Sequence, residues 1–268
     1  MNLKTKYPIL LLHGAGFRDL KWPVYWGRIP NTLTKNGAEV FYGQQDCWAS
    51  VEDNALALKD RLDAILAETG AEKVNIIAHS KGGLDARALA TLAGDKIASI
   101  TTIGTPHHGS KTVDWLLGLP EFLFRIAGFV VDHWIKLIGD QRPDFHAVCK
   151  CFSTDDCAQF NRDNPDVPGI LYQSYAGVMK NAFSDVNLWI TYLFVKAIEG
   201  KSDGLVTVDS AKWGESFTIL TGNGRRGISH CDEIDLRRMP LSKKDGDGVR
   251  DICDVYTGIV SGLRDRGL

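Results

Sequence analysis

The sequence carries no excess of either charge. Its formal net charge is −2 and no block of basic residues appears, so nothing electrostatic points to nucleic acid as a partner. It has no low-complexity linker and no internal repeat, which argues against a solenoid or a string of modules. Met1 leads almost directly into the apolar run Ile9–Leu12, without the charged and hydrophobic regions of a signal peptide. The sequence as it stands is therefore expected to carry no such leader, although one could have been removed beforehand. Six cysteines occur, but in no common metal pattern. The Cys149-x-Cys151-x5-Cys157 spacing near His146 fits no usual zinc site and lacks a second ligand pair. Free thiols or one local disulfide are expected there.

A long uncharged run is also missing. The stretch from Val113 to Ile138 is dense in Leu, Ile, Val, Phe and Trp, yet Glu121, Arg125, Asp132 and Lys136 interrupt it. These four charges fall on one helical face, with Glu121→Arg125 and Asp132→Lys136 as i,i+4 pairs. A membrane span would avoid such a stripe, so an amphipathic helix or helix pair is expected and no transmembrane segment.

What is present is 268 residues, 44% hydrophobic, enough for one substantial core and a single domain. Short apolar runs alternate with helical patterns, the signature of a mostly parallel sheet flanked by helices. Strands are expected at Ile9–Leu12, Ala38–Tyr42, Val74–Ala78, Ile97–Ile103, Ile170–Ala176 and Phe217–Leu220. Ser50 to Glu68 is the clearest helix. Leu58, Leu62, Ile65 and Leu66 form its stripe, Ser50 with Asp53 resembles a capping box, and Gly70 ends it. The segment 110–200 is too long for a simple crossover and contains a lid or cap insertion.

The chemistry centres on Ala78-His79-Ser80-Lys81-Gly82-Gly83, placed directly after a strand and directly before a helix. This is a nucleophile elbow of the G-x-S-x-G type with Ala in the first position. The small residues at 78 and 82 are expected to relieve collisions across the turn that projects the Ser80 hydroxyl above the sheet. A serine hydroxyl needs a base to remove its proton. In this fold the order along the chain is serine, acid, histidine. Six of the seven histidines lie too early, which selects His230. The acid must fall between them. Asp203 in Asp203-Gly204-Leu205-Val206 is the best placed, with Asp209 as the nearest rival and Asp185 as a weaker one. The oxyanion of an acyl-transfer intermediate would be held by two backbone amides. One is that of Lys81, after the nucleophile; the other comes from the loop His13-Gly14-Ala15-Gly16 and is assigned to Ala15. His13 and His79 are expected to hold those loops.

Together these residues resemble the bacterial true lipases of the Pseudomonas and Burkholderia type, and more loosely the Bacillus lipases. The resemblance runs through Ile9-Leu10-Leu11-Leu12-His13-Gly14, Trp26-Gly27-Arg28-Ile29-Pro30 and the elbow, whose Ala78 agrees with the Bacillus type. It continues in Gly104-Thr105-Pro106-His107-His108-Gly109-Ser110, Ser202-Asp203-Gly204-Leu205-Val206 and His230-Cys231-Asp232-Glu233. The last two match the family's acid and base motifs. The resemblance implies an α/β-hydrolase fold with a helical lid over Val113–Ile138, a fixed cap being the alternative. Phe17 and Trp22 from the aromatic loop 17–26, with Phe122, Phe129 and Trp134, are the expected pocket and lid side chains.

The implied activity is that of a serine carboxylester hydrolase, a lipase or esterase. It would cleave acylglycerols or other medium to long acyl esters through an acyl-enzyme, with a lipid–water interface as a further expected partner and without any catalytic cofactor. A polyester-degrading esterase with the same triad, or a hydrolase-like binding module without catalysis, are the alternatives. Many relatives hold a structural calcium beside the base loop, and most are secreted. Here Asp232 matches one ligand and Asp185 offers a second, whereas Leu236, at the position matching a further side-chain ligand, has no side-chain oxygen for a hard cation.

Overall fold

The computed structural model describes residues 2–19, 24–118, 140–141, 143–243 and 246–268. Six strands form one sheet: β1 (Ile9–Leu12), β2 (Val40–Tyr42), β3 (Val74–His79), β4 (Ile97–Ile103), β5 (Leu171–Val178) and β6 (Ser216–Thr221). Their order is β2-β1-β3-β4-β5-β6 and every neighbouring pair is parallel. Successive side chains of a strand point to opposite faces, and a sheet covered on both faces needs apolar residues at every position. Ile9–Leu12 meets that demand, with all four residues fully buried. Ile9 and Leu11 pack with helices α1 (Ile29–Lys35) and α9 (Ile252–Asp265). Leu10 and Leu12 pack with α2 (Val51–Thr69) and α3 (Lys81–Ala93).

Ser50 caps α2 by accepting the Asp53 N–H at 3.1 Å, and the Gly70 N–H closes it on the Leu66 carbonyl. The strand limits differ from expectation by a residue or two, for local reasons. Ala38 stays outside β2 because its N–H finishes the turn after α1, on the Leu33 carbonyl. β5 runs on past Ala176 because β6 still pairs with it at Val178↔Thr221.

Further helices are α4 (Lys111–Leu117), α5 (Phe145–Lys150), α6 (Thr154–Asp163), α7 (Trp189–Ile198) and α8 (Val208–Ala211). α4 opens the apolar stretch that begins at Val113; the rest of that stretch, residues 119–138, lies outside the described residues, so the lid expectation does too. Among the described residues no helix is long and apolar enough to cross a membrane. No disulfide joins any of the six cysteines.

The topology itself marks a site. From β1 the chain moves outward to β2, and from β3 it moves the opposite way to β4, so the two loops diverge. Parallel sheets bind ligands in the crevice such a divergence opens at the carboxyl ends of the strands. The register Leu12↔Ala78 and His79↔Ile103 brings the ends of β1, β3 and β4 level there.

Candidate active site

Ser80 stands at the end of β3 with φ 54° and ψ −131°, a backbone conformation that costs a non-glycine residue energy and persists only where neighbours enforce it. They do so here by hydrogen bonds. The Ser80 N–H donates to the Ile103 carbonyl at 2.9 Å, and the Thr105 hydroxyl donates to the Ser80 carbonyl at 2.8 Å. The small residue at 82 is needed, but its nearest obstacle is not Ala78. A Cβ on Gly82 would come within 2.5 Å of the His13 carbonyl oxygen and 2.6 Å of that of Leu12. The constraint is thus the approach of α3 to the end of β1, which also fixes the loop after β1 relative to Ser80. Gly82→Ala should cost about 1–3 kcal/mol through overpacking against rigid backbone. We expect a melting temperature lower by several degrees and a larger proportional loss of ester hydrolysis, measured on the same preparation.

The acid and base expected from chain order meet. His230 Nδ1–H donates to Asp203 Oδ2 at 2.7 Å. The other carboxylate oxygen accepts the N–H groups of Leu205 and Val206 at 2.9 and 2.7 Å, and the His230 N–H donates to the Asp203 carbonyl. Gly204, at φ +104°, makes the turn that wraps these amides around the carboxylate. The rivals do not reach the imidazole: Asp209 is exposed in the first turn of α8, and Asp185 bonds the Ser229 hydroxyl instead. Burial disfavours the His230 cation, but the charge and hydrogen bond of Asp203, joined by Glu233, outweigh it and raise the pKa. Burial in turn raises that of Asp203, against the pull of His230. In the neutral imidazole a proton on Nδ1 faces Asp203, which leaves Nε2 as the basic nitrogen. Ser80 and His230 line the same cavity. The Ser80 hydroxyl makes no hydrogen bond among the described residues, as is common before substrate binds.

A buried network with no clear signal in the sequence joins His230 to the loop after β1. Glu233 is wholly buried, and its Oε2 lies 3.0 Å from His79 Nε2 and 3.4 Å from His230 Nδ1. Its Oε1 accepts the Gly177 N–H at 2.7 Å. His79 Nδ1 lies 2.7 Å from the Tyr25 hydroxyl, which accepts the Gly14 N–H at 2.9 Å. Burial, reinforced by the adjacent His230, drives the His79 pKa well below 6.5, so this ring stays neutral and only passes hydrogen bonds. The signal available in the sequence was the spacing of three between His230 and Glu233, within reach of one turn.

The α/β-hydrolase fold family matches residues 7–131. A triacylglycerol lipase of Vibrio cholerae is 31% identical over 258 residues, covering 86% of this chain and 80% of that protein. The chain belongs to the bacterial lipase family. A Burkholderia plantarii triacylglycerol lipase is 33% identical over 175 residues, 60% of this chain and 49% of its own, so this chain spans about half of that relative. The mature lipase of Bacillus licheniformis shares the fold, with a TM-score of 0.67 at 21% identity over 88% of this chain and 90% of that one. The protein is accordingly an α/β-hydrolase of lipase or esterase type.

In this lipase-family chain the amides assigned to the oxyanion are both available. Lys81 opens α3, where the first N–H groups have no intrahelical acceptor, and the Ala15 N–H bonds nothing among the described residues. The Lys81 ammonium is buried and engaged elsewhere, 2.8 Å from Asp85 Oδ1. His13 holds its loop through the Gln45 and Gly14 carbonyls. The cavity beside Ser80 has a volume of about 290 Å³ and is lined by Ala15, Gly16, Trp48, Pro106, Ser110, Val113, Phe152, Leu205, Val206 and His230. Phe17 is not in that wall and stands 40% exposed. Trp22, Phe122, Phe129 and Trp134 lie outside the described residues. Trp48 and Phe152, which do form the wall, come from loops whose meeting nothing local announces. Asp185 and Asp232 flank the base loop as the resemblance implies, but an arginine lies against both.

Proposed function

We propose that this protein hydrolyses carboxylic esters of lipid type through an acyl-enzyme, with Ser80 as nucleophile, His230 as general base and acid, and Asp203 as the group that orients the imidazole. The observation that carries the reading is the Asp203–His230 hydrogen bond, set on the wall of the cavity that Ser80 also lines. His230 Nε2 takes the hydroxyl proton as Oγ attacks the ester carbonyl. The Ala15 and Lys81 amides receive the negative charge that develops on the carbonyl oxygen. The proton then passes to the departing alcohol, and water repeats the sequence in reverse to release the acid.

The substrate class follows from the walls. They are mostly apolar, and the volume lies at the lower end of the roughly 300–1,000 Å³ usual for ligand pockets. Such a space suits one acyl chain, with the remainder of an acylglycerol left outside. Outside it lie exposed apolar side chains on α7, including Trp189, Ile190 and Leu193, and Trp115 of α4 stacked on Phe194. A face of this kind favours contact with a lipid–water interface.

Labelling with a fluorescent alkyl organophosphonate tests the reading, because only an activated serine reacts. We expect stoichiometric modification of Ser80 in the wild type, and none in Ser80→Ala or, over the same interval, in His230→Ala. A wild type that stays unlabelled would instead indicate a hydrolase-like binding module.

A further inference from the structure

A calcium ion beside the base loop is the one metal that the family resemblance suggests, and the residues do not fit it. Calcium takes six to eight oxygens. Here Leu236 packs with the core, and Asp185 and Asp232 are not part of any cluster of three or more metal-capable side chains among the described residues. The space beside the two carboxylates is taken by a guanidinium. Arg237 Nε lies 3.0 Å from Asp232 Oδ1 and its Nη2 lies 3.8 Å from Asp185 Oδ2. The same Nη2 donates to the Ser184 carbonyl at 2.7 Å, and Arg226 donates to that carbonyl as well. Among the described residues Asp232 Oδ1 is buried and accepts no directed hydrogen bond; the Arg237 guanidinium lies against it, and the charge of Arg226 acts on the same carboxylate.

We propose that Arg237 is a built-in cation that pins the loop bearing His230 to the segment leaving β5, and so is a positioning residue for the base in a protein that needs no divalent metal. The connection to the imidazole is short. Asp232 Oδ2 accepts the Ser229 N–H at 3.1 Å, while the Ser229 hydroxyl accepts the Asp232 N–H at 3.1 Å and donates to Asp185 Oδ2 at 2.7 Å. Ser229 directly precedes His230. Both carboxylates that grip it are thus in contact with one guanidinium, and removing it leaves two buried acids facing each other with only the more distant charge of Arg226 to offset them. Repulsion between them would swing Ser229 and, with it, the ring whose alignment decides proton transfer.

The effect on catalysis rests on His230 being the base, whereas the effect on stability does not. The test compares the wild type, Arg237→Lys and Arg237→Gln in millimolar EDTA and in millimolar calcium. Wild-type melting and ester hydrolysis should be the same in both. Arg237→Gln should melt roughly 5 °C lower, the loss expected when one partner of a largely buried charge cluster is removed from a chain of this size. Its kcat should fall about tenfold with KM near wild type, as misplacement of a catalytic group predicts, and Arg237→Lys should recover part of both. A wild type that calcium stabilises or EDTA inactivates overturns the inference, as does a glutamine variant with wild-type melting and kcat. If the glutamine variant does not fold, Arg237→Lys carries the melting and kcat comparison, and the wild type in EDTA and calcium still tests the absence of a metal requirement. Were His230 not the base, Arg237→Gln would melt lower yet keep wild-type kcat, so the melting curves would still report on Arg237.

Discussion

Ser80→Ala should lower kcat for ester hydrolysis by roughly 10⁵–10⁶-fold, the scale reached when the nucleophile of a serine hydrolase is removed. The fold should be untouched. Among the described residues the hydroxyl makes no hydrogen bond whose loss would leave a buried partner, and alanine meets the same backbone strain at φ 54° that serine already bears. The strained turn is held by backbone and Thr105, not by the Ser80 side chain. A chromogenic acyl ester reports the activity and circular dichroism the melting curve. Hydrolysis near the wild-type level would remove Ser80 from the mechanism; a collapsed melting temperature would mean that the hydroxyl holds the elbow together.

The second large effect concerns the acid, and here a second carboxylate shapes the outcome. Asp203→Ala should lower kcat by roughly 10³–10⁴-fold, since the imidazole loses its orienting partner and the anion opposite the developing cation. Glu233 Oε2, 3.4 Å from His230 Nδ1, is close enough to take over part of that role. Asp203→Ala should therefore stay measurably above Ser80→Ala, and adding Glu233→Gln should remove about a further tenfold. The glutamine cannot accept from both Gly177 and His79 as the carboxylate does, and it carries no charge for His230.

The pH profile separates orientation from simple damage. As the proposed base, His230 would act only when neutral; burial alone would push its pKa down, but Asp203 and Glu233 hold it above the ordinary value. The acid limb of kcat/KM in the wild type should thus lie above pH 6.5, with activity rising as pH rises through it. Removing the Asp203 charge should move that limb toward lower pH. A limb at the same pH in both proteins would mean that Asp203 does not face the base in solution.

How early each part could be read follows from how local its cause is. The elbow was legible because strand, tight turn and helix are contiguous, and each is set by residues within a few positions. β1 and β4 fell on their expected limits because a strand buried on both faces must be apolar without a break. His230 and Asp203 needed one further rule, the order in which this fold delivers its catalytic groups. Gly82 was identified correctly as a small residue but for an incomplete reason, since its obstacle is the end of β1, 69 positions earlier for His13.

The remainder depends on which distant segments arrive together. The spacing of three places Glu233 near His230, but nothing local states that His79, from the end of β3, will meet the same carboxylate, and nothing near Arg237 states that it will face acids from two loops. Trp48 and Phe152 form the cavity wall, and Phe17 does not, because the divergence of the β1 and β3 loops selects which connections close over Ser80. Apolar periodicity records only how deeply a residue is buried along its own element. Who its neighbours are is decided by the packing of elements remote in the chain, where a buried charge is tolerated only if some other segment supplies its partner.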